Sequence, residues 1–285
     1  MTTVAMELDV DAAAAVQALL DRKTKPTGSL GRLEELAVRL AAITGRTDGA
    51  FPMKVVLIAA GDHGIARQGV SLYPPEVTPQ MVLNFLAGGA AINVLSRQAG
   101  ARVVVADAGV NTDAFPDHPG LLKLSLGRGT ADFSQGPAMS RQDAELSIRR
   151  GREAVAALAG QGLDLLAVGE MGIGNTTPSA ALCACLLQLE PELVTGRGTG
   201  LDAAGWQRKV DVIRAALKLN APDLSDAVDC LAKVGGFEIG LLAGAMLEAA
   251  QRRIPVVLDG FITGAAALIA CRMDPALKGF LLASH

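Results

Sequence analysis

The chain is poor in aromatic residues and has no excess of basic charge. Phe, Trp and Tyr together make up 3% of its 285 residues, and the net charge is −3 at pH 7. Surfaces that bind nucleic acid need clustered Lys and Arg, or aromatic side chains that stack on bases. The composition therefore argues against a nucleic-acid partner.

Several familiar motifs are also missing. The sequence has no Gly-x-x-x-x-Gly-Lys-[Ser/Thr], and no Gly-x-Gly-x-x-Gly follows a predicted strand, which argues against a nucleoside triphosphatase and a dinucleotide-binding protein. No cluster of His and acidic residues has the spacing of metal ligands. The cysteines lack Cys-x-x-Cys spacing and lie in apolar helical segments; they are Cys183, Cys185, Cys230 and Cys271. They are expected to be buried thiols in a reducing compartment.

Neither a leader peptide nor a membrane span is predicted. Glu7, Asp9 and Asp11 precede any apolar run, unlike a secretion signal. The longest uncharged apolar stretch, residues 261–271, is too short to cross a bilayer. The sequence predicts a soluble cytoplasmic protein with no membrane partner.

Short runs rich in Val, Ile and Leu alternate with helical patterns. The predicted strands are residues 54–60, 102–108, 163–169 and 255–259, and the predicted helices are residues 77–98, 141–158, 178–189, 203–219, 223–232 and 238–252. This alternation predicts a Rossmann-like, doubly wound and mainly parallel α/β sheet. The first 45 residues have helical patterns and no strand. We therefore expect residues 1–45 to contribute to a smaller helical domain beside an α/β domain of residues 46–285.

Acidic residues follow the predicted strands. Asp62, Asp107, Glu170 and Asp259 each lie at or just after a strand end. In doubly wound sheets ligands bind at the carboxyl ends of the strands, so four acids there predict a pocket lined by carboxylates. Solvated turn residues also collect at strand ends, so each acid alone is weak evidence.

Residues 169–178, Gly-Glu-Met-Gly-Ile-Gly-Asn-Thr-Thr-Pro, form the most informative segment. An apolar run ends in Glu170, and a Gly-rich turn then leads to a helix that Pro178 can open. Bare amides at a helix N-terminus can hold a phosphate while the carboxylate faces the group attached to it. The alternative is a tight turn whose glycines only satisfy positive φ.

Other polar segments allow two interpretations each. Residues 195–202 form either a second phosphate-side loop with Lys209 as its countercharge, or a flexible connector with a solvated basic face. His63 follows Asp62, and adjacent side chains on an extended segment point apart, so a hydrogen-bonded turn residue is favoured over a metal ligand. Residues 71–78 carry the single Tyr and a Pro-Pro pair, which suit either the rim of an apolar pocket or a simple connection.

The last segment, residues 279–285, reads as another buried strand. The chain stops at the carboxyl end of that strand, where a site loop would be expected. The sequence therefore predicts that a C-terminal segment is missing.

Together these segments resemble the nicotinate-nucleotide–dimethylbenzimidazole phosphoribosyltransferase (CobT) family over essentially the whole chain. The matching segments are residues 25–34, 61–64, 71–78, 169–178, 196–202, 235–238 and 258–261. The resemblance implies transfer of the 5-phosphoribosyl group from nicotinate mononucleotide to 5,6-dimethylbenzimidazole, which gives α-ribazole 5′-phosphate and nicotinate in assembly of the cobalamin lower ligand. It also implies a homodimer that needs no metal or cofactor.

The resemblance assigns site residues as well. Glu170 and Asp259 are the implied catalytic residues. The implied substrate-binding residues are Ser71, Tyr73, Pro75, Glu76, Gln80 and Met81 on the benzimidazole side, and Gly172, Gly174, Asn175, Thr176, Thr177 and Lys209 on the phosphate side. The family continues past the equivalent of His285 and has its proposed catalytic Glu there. We therefore expect slow turnover or weak binding from this chain, with Glu170 as the substitute base.

Two alternatives stay open at this level. A phosphoribosyltransferase of the same fold could use another acceptor base, and the residues around Tyr73 and Met81 would decide which. A protein that binds a nucleotide or base without turnover is the second alternative.

Overall fold

All six strands of the sheet run parallel in the computed structural model, which describes residues 7–284. The strands are β1 (Lys54–Gly61), β2 (Ala101–Gly109), β3 (Leu121–Lys123), β4 (Leu165–Met171), β5 (Val256–Leu258) and β6 (Leu281–Ala283). Their order is β3-β2-β1-β4-β5-β6. From β1 the chain adds β2 and then β3 on one side. It returns to pair β4 with the other side of β1, and then adds β5 and β6 beyond β4. This reversal leaves a crevice at the carboxyl ends of β1 and β4.

The helices cover both faces of the sheet, so the predicted doubly wound α/β fold is confirmed. They are α1 (Val10–Asp21), α2 (Arg32–Thr44), α3 (Val77–Leu86), α4 (Ala91–Ala99), α5 (Arg141–Ala159), α6 (Thr176–Leu187), α7 (Pro191–Val194), α8 (Ala203–Asn220), α9 (Ala227–Val234), α10 (Phe237–Gln251) and α11 (Phe261–Met273). Successive side chains of a strand point to opposite faces. Accordingly, Leu57 and Ala59 of β1 join the larger core, while Ile58 and Ala60 join a smaller core that includes Phe85 of α3.

The segment predicted as one helix over residues 77–98 is two helices, so that prediction is wrong in its middle. Gly88 has φ +78°, outside the helical region. The side chain of Asn93 then fixes the break, because its Oδ1 accepts from the Ala90 amide at 3.1 Å and its Nδ2 donates to the Phe85 carbonyl at 3.0 Å. Three elements, β3, α7 and α11, are not among the strands and helices predicted from the sequence.

Helices α1 and α2 share a small apolar cluster of their own, formed around Val16, Leu20 and Ala41. The loop between them is closed by a buried ion pair in which Lys25 Nζ lies 2.8 Å from Glu34 Oε1. Arg39 joins the pair of helices to the main domain by donating to the Leu281 carbonyl at 2.6 Å. Residues 1–6 of the predicted 1–45 segment, and His285 of the predicted last strand, lie outside the described residues.

Helices α5 and α10 pack in direct backbone contact on the larger core. A Cβ added at Gly244 of α10 would overlap the carbonyl oxygen of Ile148 in α5, and one added at Gly151 would overlap the carbonyl oxygen of Leu241. Only hydrogen atoms fit between the two backbones at these positions. The position of α10, which carries Glu238 in its first turn, thus depends on this contact.

We expect Gly244→Ala to lower the free energy of unfolding by about 1–3 kcal/mol, because the added methyl group forces the two backbones apart. The matched control is Gly264→Ala in α11, where an added Cβ meets nothing within 4 Å. That change is expected to raise stability by about 0.5–1 kcal/mol through helix propensity. Denaturant unfolding of both variants measures the difference, and equal effects would contradict the packing argument.

Candidate active site

The crevice between β1 and β4 gathers the acidic side chains predicted at the strand ends. Ala59 of β1 lies opposite Glu170 of β4 in the parallel ladder. Asp62 and His63 follow β1 directly, and both are buried. The ladder register therefore brings two predicted acids and a histidine to one edge of the sheet.

A cavity of about 340 Å³ opens at this edge and extends along the sheet toward α3 and α4. Its walls are mainly apolar, with Met81 and Phe85 from α3 and Ile58 from β1 among them. Glu170 and Asp259 are the carboxylates in its lining. An apolar cavity with two convergent acids suits a small flat ligand that must give up a proton.

A larger groove of about 530 Å³ lies between α1 and α2. Its charged residues, Lys23, Arg46 and Asp48, do not include any acid predicted at a strand end. We place the candidate site in the smaller cavity, because that cavity lies where the strand order reverses and is lined by Glu170, which is half-buried, and Asp259, which is exposed.

Glu170 has an unusual protonation state for a carboxyl group. Burial raises the pKa of Glu170 to about 7, and repulsion from Glu238 and Asp259 acts in the same direction. The hydrogen bond from the Asn175 side-chain amide opposes this rise. A carboxylate that is half ionised near neutral pH can accept a proton and release it again at a useful rate.

The turn that follows Glu170 is held by its own backbone. The Asn175 amide donates to the Gly172 carbonyl at 3.1 Å, and the Thr177 amide donates to the Gly174 carbonyl at 2.9 Å. The Ile173 amide donates to the hydroxyl of Thr78 at 3.0 Å. These amides are therefore not bare, and the expectation of a phosphate held by a row of free amides is corrected for these three.

The ammonium group of Lys209 places a positive charge at the start of α6. Its Nζ donates to the hydroxyl of Thr176 at 2.5 Å, and the residue has no exposed surface. None of the acidic side chains in residues 7–284 forms an ion pair with Lys209. Burial lowers the pKa of the Lys209 ammonium to about 8. An enclosed cation without a counterion favours an anionic ligand at this point.

The loop of residues 195–202 packs against the same cation. A Cβ added at Gly198 would lie 3.4 Å from Lys209 Nζ and 3.2 Å from Thr176 Oγ1. Of the two interpretations of this loop, the contact favours the phosphate-side one. The start of α8 is also fixed here, because the Asp202 carboxylate caps it by accepting from the Gly205 amide at 2.7 Å.

The predicted acceptor-side residues divide into two groups. Met81 lines the cavity, whereas Tyr73, Glu76 and Gln80 are exposed side chains outside its lining. Pro75 and Ser71 are half-buried. The loop that carries them touches the phosphate-side loop, because the Leu72 amide donates to the Thr199 hydroxyl at 3.2 Å and Ser71 Oγ lies 3.5 Å from it. The two predicted halves of the site are therefore in contact.

Sequence reasoning missed the partner of His63. His63 Nε2 lies 2.9 Å from Glu238 Oε1, and both side chains are completely buried. The Asp62 side chain accepts from the Asn111 amide at 2.8 Å. The prediction that His63 is a hydrogen-bonded turn residue is wrong, because neither of its ring nitrogens has a hydrogen-bond partner among the described residues. The signal that could have found Glu238 is the Gly-Gly pair, residues 235–236, two positions before an acid in the first turn of a helix.

Asp107 does not belong to the cavity, although it lies at a strand end. Its Oδ1 accepts from the amides of Gly109 and Val110 at 3.0 and 2.9 Å, which closes the turn after β2. Of the four acids that the sequence places at strand ends, Glu170 and Asp259 line the cavity and Asp62 lies beside it.

The fold and the site together are those of a phosphoribosyltransferase. The profile of the family described as "Phosphoribosyltransferase" matches residues 5–285. The nicotinate-nucleotide–dimethylbenzimidazole phosphoribosyltransferase of Chloroflexus aurantiacus is 55% identical over 278 residues, which are 98% of this chain and 79% of that protein. The protein of that name from Roseiflexus castenholzii is 56% identical over 277 residues, 97% of this chain and 78% of its own length.

The crystal structure of the Thermus thermophilus enzyme of this name superposes with a TM-score of 0.91 at 46% identity, over 98% of this chain and 82% of that one. The chain therefore belongs to the nicotinate-nucleotide–dimethylbenzimidazole phosphoribosyltransferase family. No helix of residues 7–284 is long and apolar enough to cross a membrane.

We expect Lys209→Met to raise the free energy of unfolding at pH 7 by up to about 3 kcal/mol, because it removes a buried ammonium whose proton affinity is reduced by the fold. The unfolded chain binds this proton more tightly than the folded chain does above pH 8. Wild-type stability therefore rises with pH there, and the difference between the two proteins shrinks. Lys218→Met, on the exposed side of α8, is the matched control and should stay within about 0.5 kcal/mol of wild type. Denaturant unfolding between pH 7 and 10 measures both, and a constant difference across that range would contradict the assignment.

Proposed function

We propose that this chain transfers the 5-phosphoribosyl group of nicotinate mononucleotide to 5,6-dimethylbenzimidazole, giving α-ribazole 5′-phosphate and nicotinate for the cobalamin lower ligand. Family membership supports the reaction. The observation that carries the proposal is the apolar cavity whose half-buried acid, Glu170, adjoins a turn that ends beside Lys209, a buried cation with no acidic partner in residues 7–284. Such a site can bind a flat aromatic base in the cavity, accept its proton on Glu170 and bind a phosphate at Lys209.

On the donor side, Lys209 and the hydroxyl of Thr176 hold the phosphate. The two groups lie together at the start of α6, where the helix dipole also favours an anion. Gly172 and Gly174 shape the turn so that the ribose can approach its backbone, and Thr177 is buried behind it. The donor is thereby fixed at one end, with its C1′ directed toward Glu170.

On the acceptor side, the cavity takes the benzimidazole ring, with Met81 against its face. Glu170 accepts the N–H proton of the ring as the opposite ring nitrogen attacks C1′. The bond from C1′ to the pyridinium nitrogen breaks, and nicotinate leaves with the bonding electron pair. Asp259, an exposed residue of the cavity lining, stabilises the positive charge that develops on the ribose.

A second acceptor base is also compatible with the site. Among the predicted acceptor-side residues Met81 lines the cavity, and Met side chains adapt to different ring shapes. The polar side chains of Tyr73, Glu76 and Gln80 lie outside the lining and give the ring no fixed hydrogen-bond partner there. This arrangement favours tolerance toward related aromatic bases.

We also propose that the protein is a cytoplasmic homodimer, and that residues 1–45 belong to a smaller helical domain. The separate apolar cluster of α1 and α2 supports the domain assignment. Light scattering coupled to size exclusion tests the dimer.

The proposed reaction is tested by nicotinate release from nicotinate mononucleotide, with and without 5,6-dimethylbenzimidazole. We expect release that depends on the base and is matched by equal amounts of α-ribazole 5′-phosphate. Binding of both compounds without release would favour the binding protein instead. The prediction of slow turnover remains a prediction, and the rate measured in this assay tests it.

We expect Glu170→Gln to lower kcat by about 10²–10⁴-fold, because the proton acceptor is lost while the shape is kept. In the wild type the rate should rise with pH through about 7 as Glu170 ionises, and fall above about 8 as Lys209 loses its proton. The rate of Glu170→Gln should not show this rise through about pH 7, which forms the acidic limb of the pH–rate profile. The control is Glu248→Gln at the far end of α10, where the side chain pairs with Arg252. An unchanged acidic limb in Glu170→Gln would exclude Glu170 as the base.

A further inference from the structure

The pair formed by His63 and Glu238 lies behind the turn that follows Glu170, outside the cavity lining, and the proposed reaction does not use it. Both side chains have 0% exposure, and the ring nitrogen Nε2 is 2.9 Å from the carboxylate oxygen Oε1. The two atoms are in contact but not aligned as a hydrogen bond. Nδ1 of His63 and Oε2 of Glu238 also lack a hydrogen-bond partner among the described residues. A fold does not keep such groups in its interior without compensation, because each costs a large desolvation free energy.

Three glycines enclose this pair. A Cβ added at Gly236 would lie 2.6 Å from His63 Cε1 and 2.6 Å from Glu238 Oε2, and one added at Gly61 would lie 3.0 Å from the same oxygen. A Cβ at Gly172 would lie 3.2 Å from His63 Nε2 and would overlap the Gly61 carbonyl. The end of β1, the turn after β4 and the start of α10 therefore all close on the same two side chains.

The enclosure also brings the pair next to the turn that holds Glu170. Gly172 packs against His63 on one side, and its added Cβ would contact Asn175 at 3.4 Å on the other. Asn175 is the residue whose side chain binds Glu170. Few atoms therefore separate the buried pair from the proposed proton acceptor.

Charges in this enclosure interact strongly, because little water screens them. Burial is the largest single influence and acts against the charge of His63, but the surrounding carboxylates, Glu238 foremost, together outweigh it and raise the pKa of His63. Asp62 and Glu170 add to this rise. The charged groups around Glu170 are Asp62 and His63 after β1, Glu238 in α10 and Asp259 after β5.

We propose that the buried His63–Glu238 ion pair is a positioning unit that fixes the turn after Glu170 and balances the charge around its carboxylate. This inference rests on the proposed function of Glu170 as the proton acceptor. The imidazolium favours the ionised form of Glu170, and the Glu238 carboxylate favours its protonated form. The pair thereby sets the fraction of Glu170 that can take a proton from the acceptor base.

The test is a titration of the Glu170 carboxyl group by ¹³C NMR in the whole chain, with Glu170→Gln identifying its resonance. We expect His63→Gln to raise the midpoint by about one pH unit, a tenfold change in proton affinity, because the negative charge of Glu238 is left unbalanced. Glu238→Gln is expected to leave the midpoint within about 0.3 pH unit of the wild type, because burial then keeps the His63 ring neutral and both charges of the pair are lost together. The double variant should also titrate like the wild type. No shift in His63→Gln, or a rise in Glu238→Gln as large as that in His63→Gln, would overturn the proposal.

Asp107→Asn is the matched control, because it removes a buried carboxylate at the neighbouring strand end and keeps an oxygen for the Gly109 and Val110 amides. It should leave the Glu170 midpoint unchanged. If the single variants do not fold, ¹⁵N NMR of the His63 ring in the wild type decides the question. A ring that carries both protons at pH 7 supports the pair, and a neutral ring overturns it.

Neither NMR measurement requires turnover, so the two proposals can fail separately. A raised midpoint in His63→Gln without nicotinate release would contradict the proposed reaction and retain the role of the pair. In active protein, the acidic limb of kcat/KM should move to higher pH in His63→Gln and stay in place in Glu238→Gln, with the KM for nicotinate mononucleotide unchanged. If the acidic limb of the pH–rate profile stays in place while the titration midpoint of Glu170 shifts, the role of the pair in catalysis is overturned.

Discussion

Contact between β1 and β4 fixes the geometry of the candidate site. The chain reverses the direction of sheet building at this contact, so no connection crosses the carboxyl ends of the two strands. Glu170 lies in β4, and Asp62 and His63 follow β1, so the ladder register alone sets their spacing. Once these groups are enclosed together, the loss of solvent has the largest effect on their pKa values, and the charges that they exert on one another act in addition.

The enclosure is sealed by helices whose positions depend on small residues. The contact between α5 and α10 has no room for a methyl group at Gly244, and it holds α10 close to the sheet. Glu238, in the first turn of α10, reaches His63 only because of this close approach. On the other side, α6 is buried around most of its surface and begins at Thr176 beside Lys209. The packing of α10 and α6 therefore determines where the charged side chains of the site lie.

Strand and helix periodicity predicted most of the α/β fold, because long apolar runs bounded by turn residues leave few alternatives. The prediction failed where local signals were short or contradictory. β3 has three residues and is recognisable only through its pairing with β2. Residues 77–98 carry helical periodicity throughout, and the break at Gly88 depends on side-chain bonds of Asn93 that propensity does not encode.

Residue type and position predicted part of the candidate site, namely the acids Glu170 and Asp259 at strand ends, whereas the family resemblance alone placed Lys209 and Thr176 together on the phosphate side. They could not predict the contact between His63 and Glu238, which are 175 positions apart in the chain. Such a pair is determined by tertiary packing, and its sequence signal is spread over glycines that each allow several interpretations. The sequence likewise could not show that the amides of Ile173, Asn175 and Thr177 are already bonded.

The hydroxyl of Thr199 connects the loop of residues 195–202 to the loop of residues 71–78. It accepts from the Leu72 amide and lies within hydrogen-bond distance of Ser71 Oγ. A displacement of residues 195–202 therefore changes the contacts of residues 71–72 as well. Linkage makes any effect between two binding sites reciprocal: if one ligand changes the affinity for the other by some factor, the second changes the affinity for the first by the same factor. If the two loops contact the two substrates as proposed, Thr199 is the side chain through which binding of one substrate would affect binding of the other.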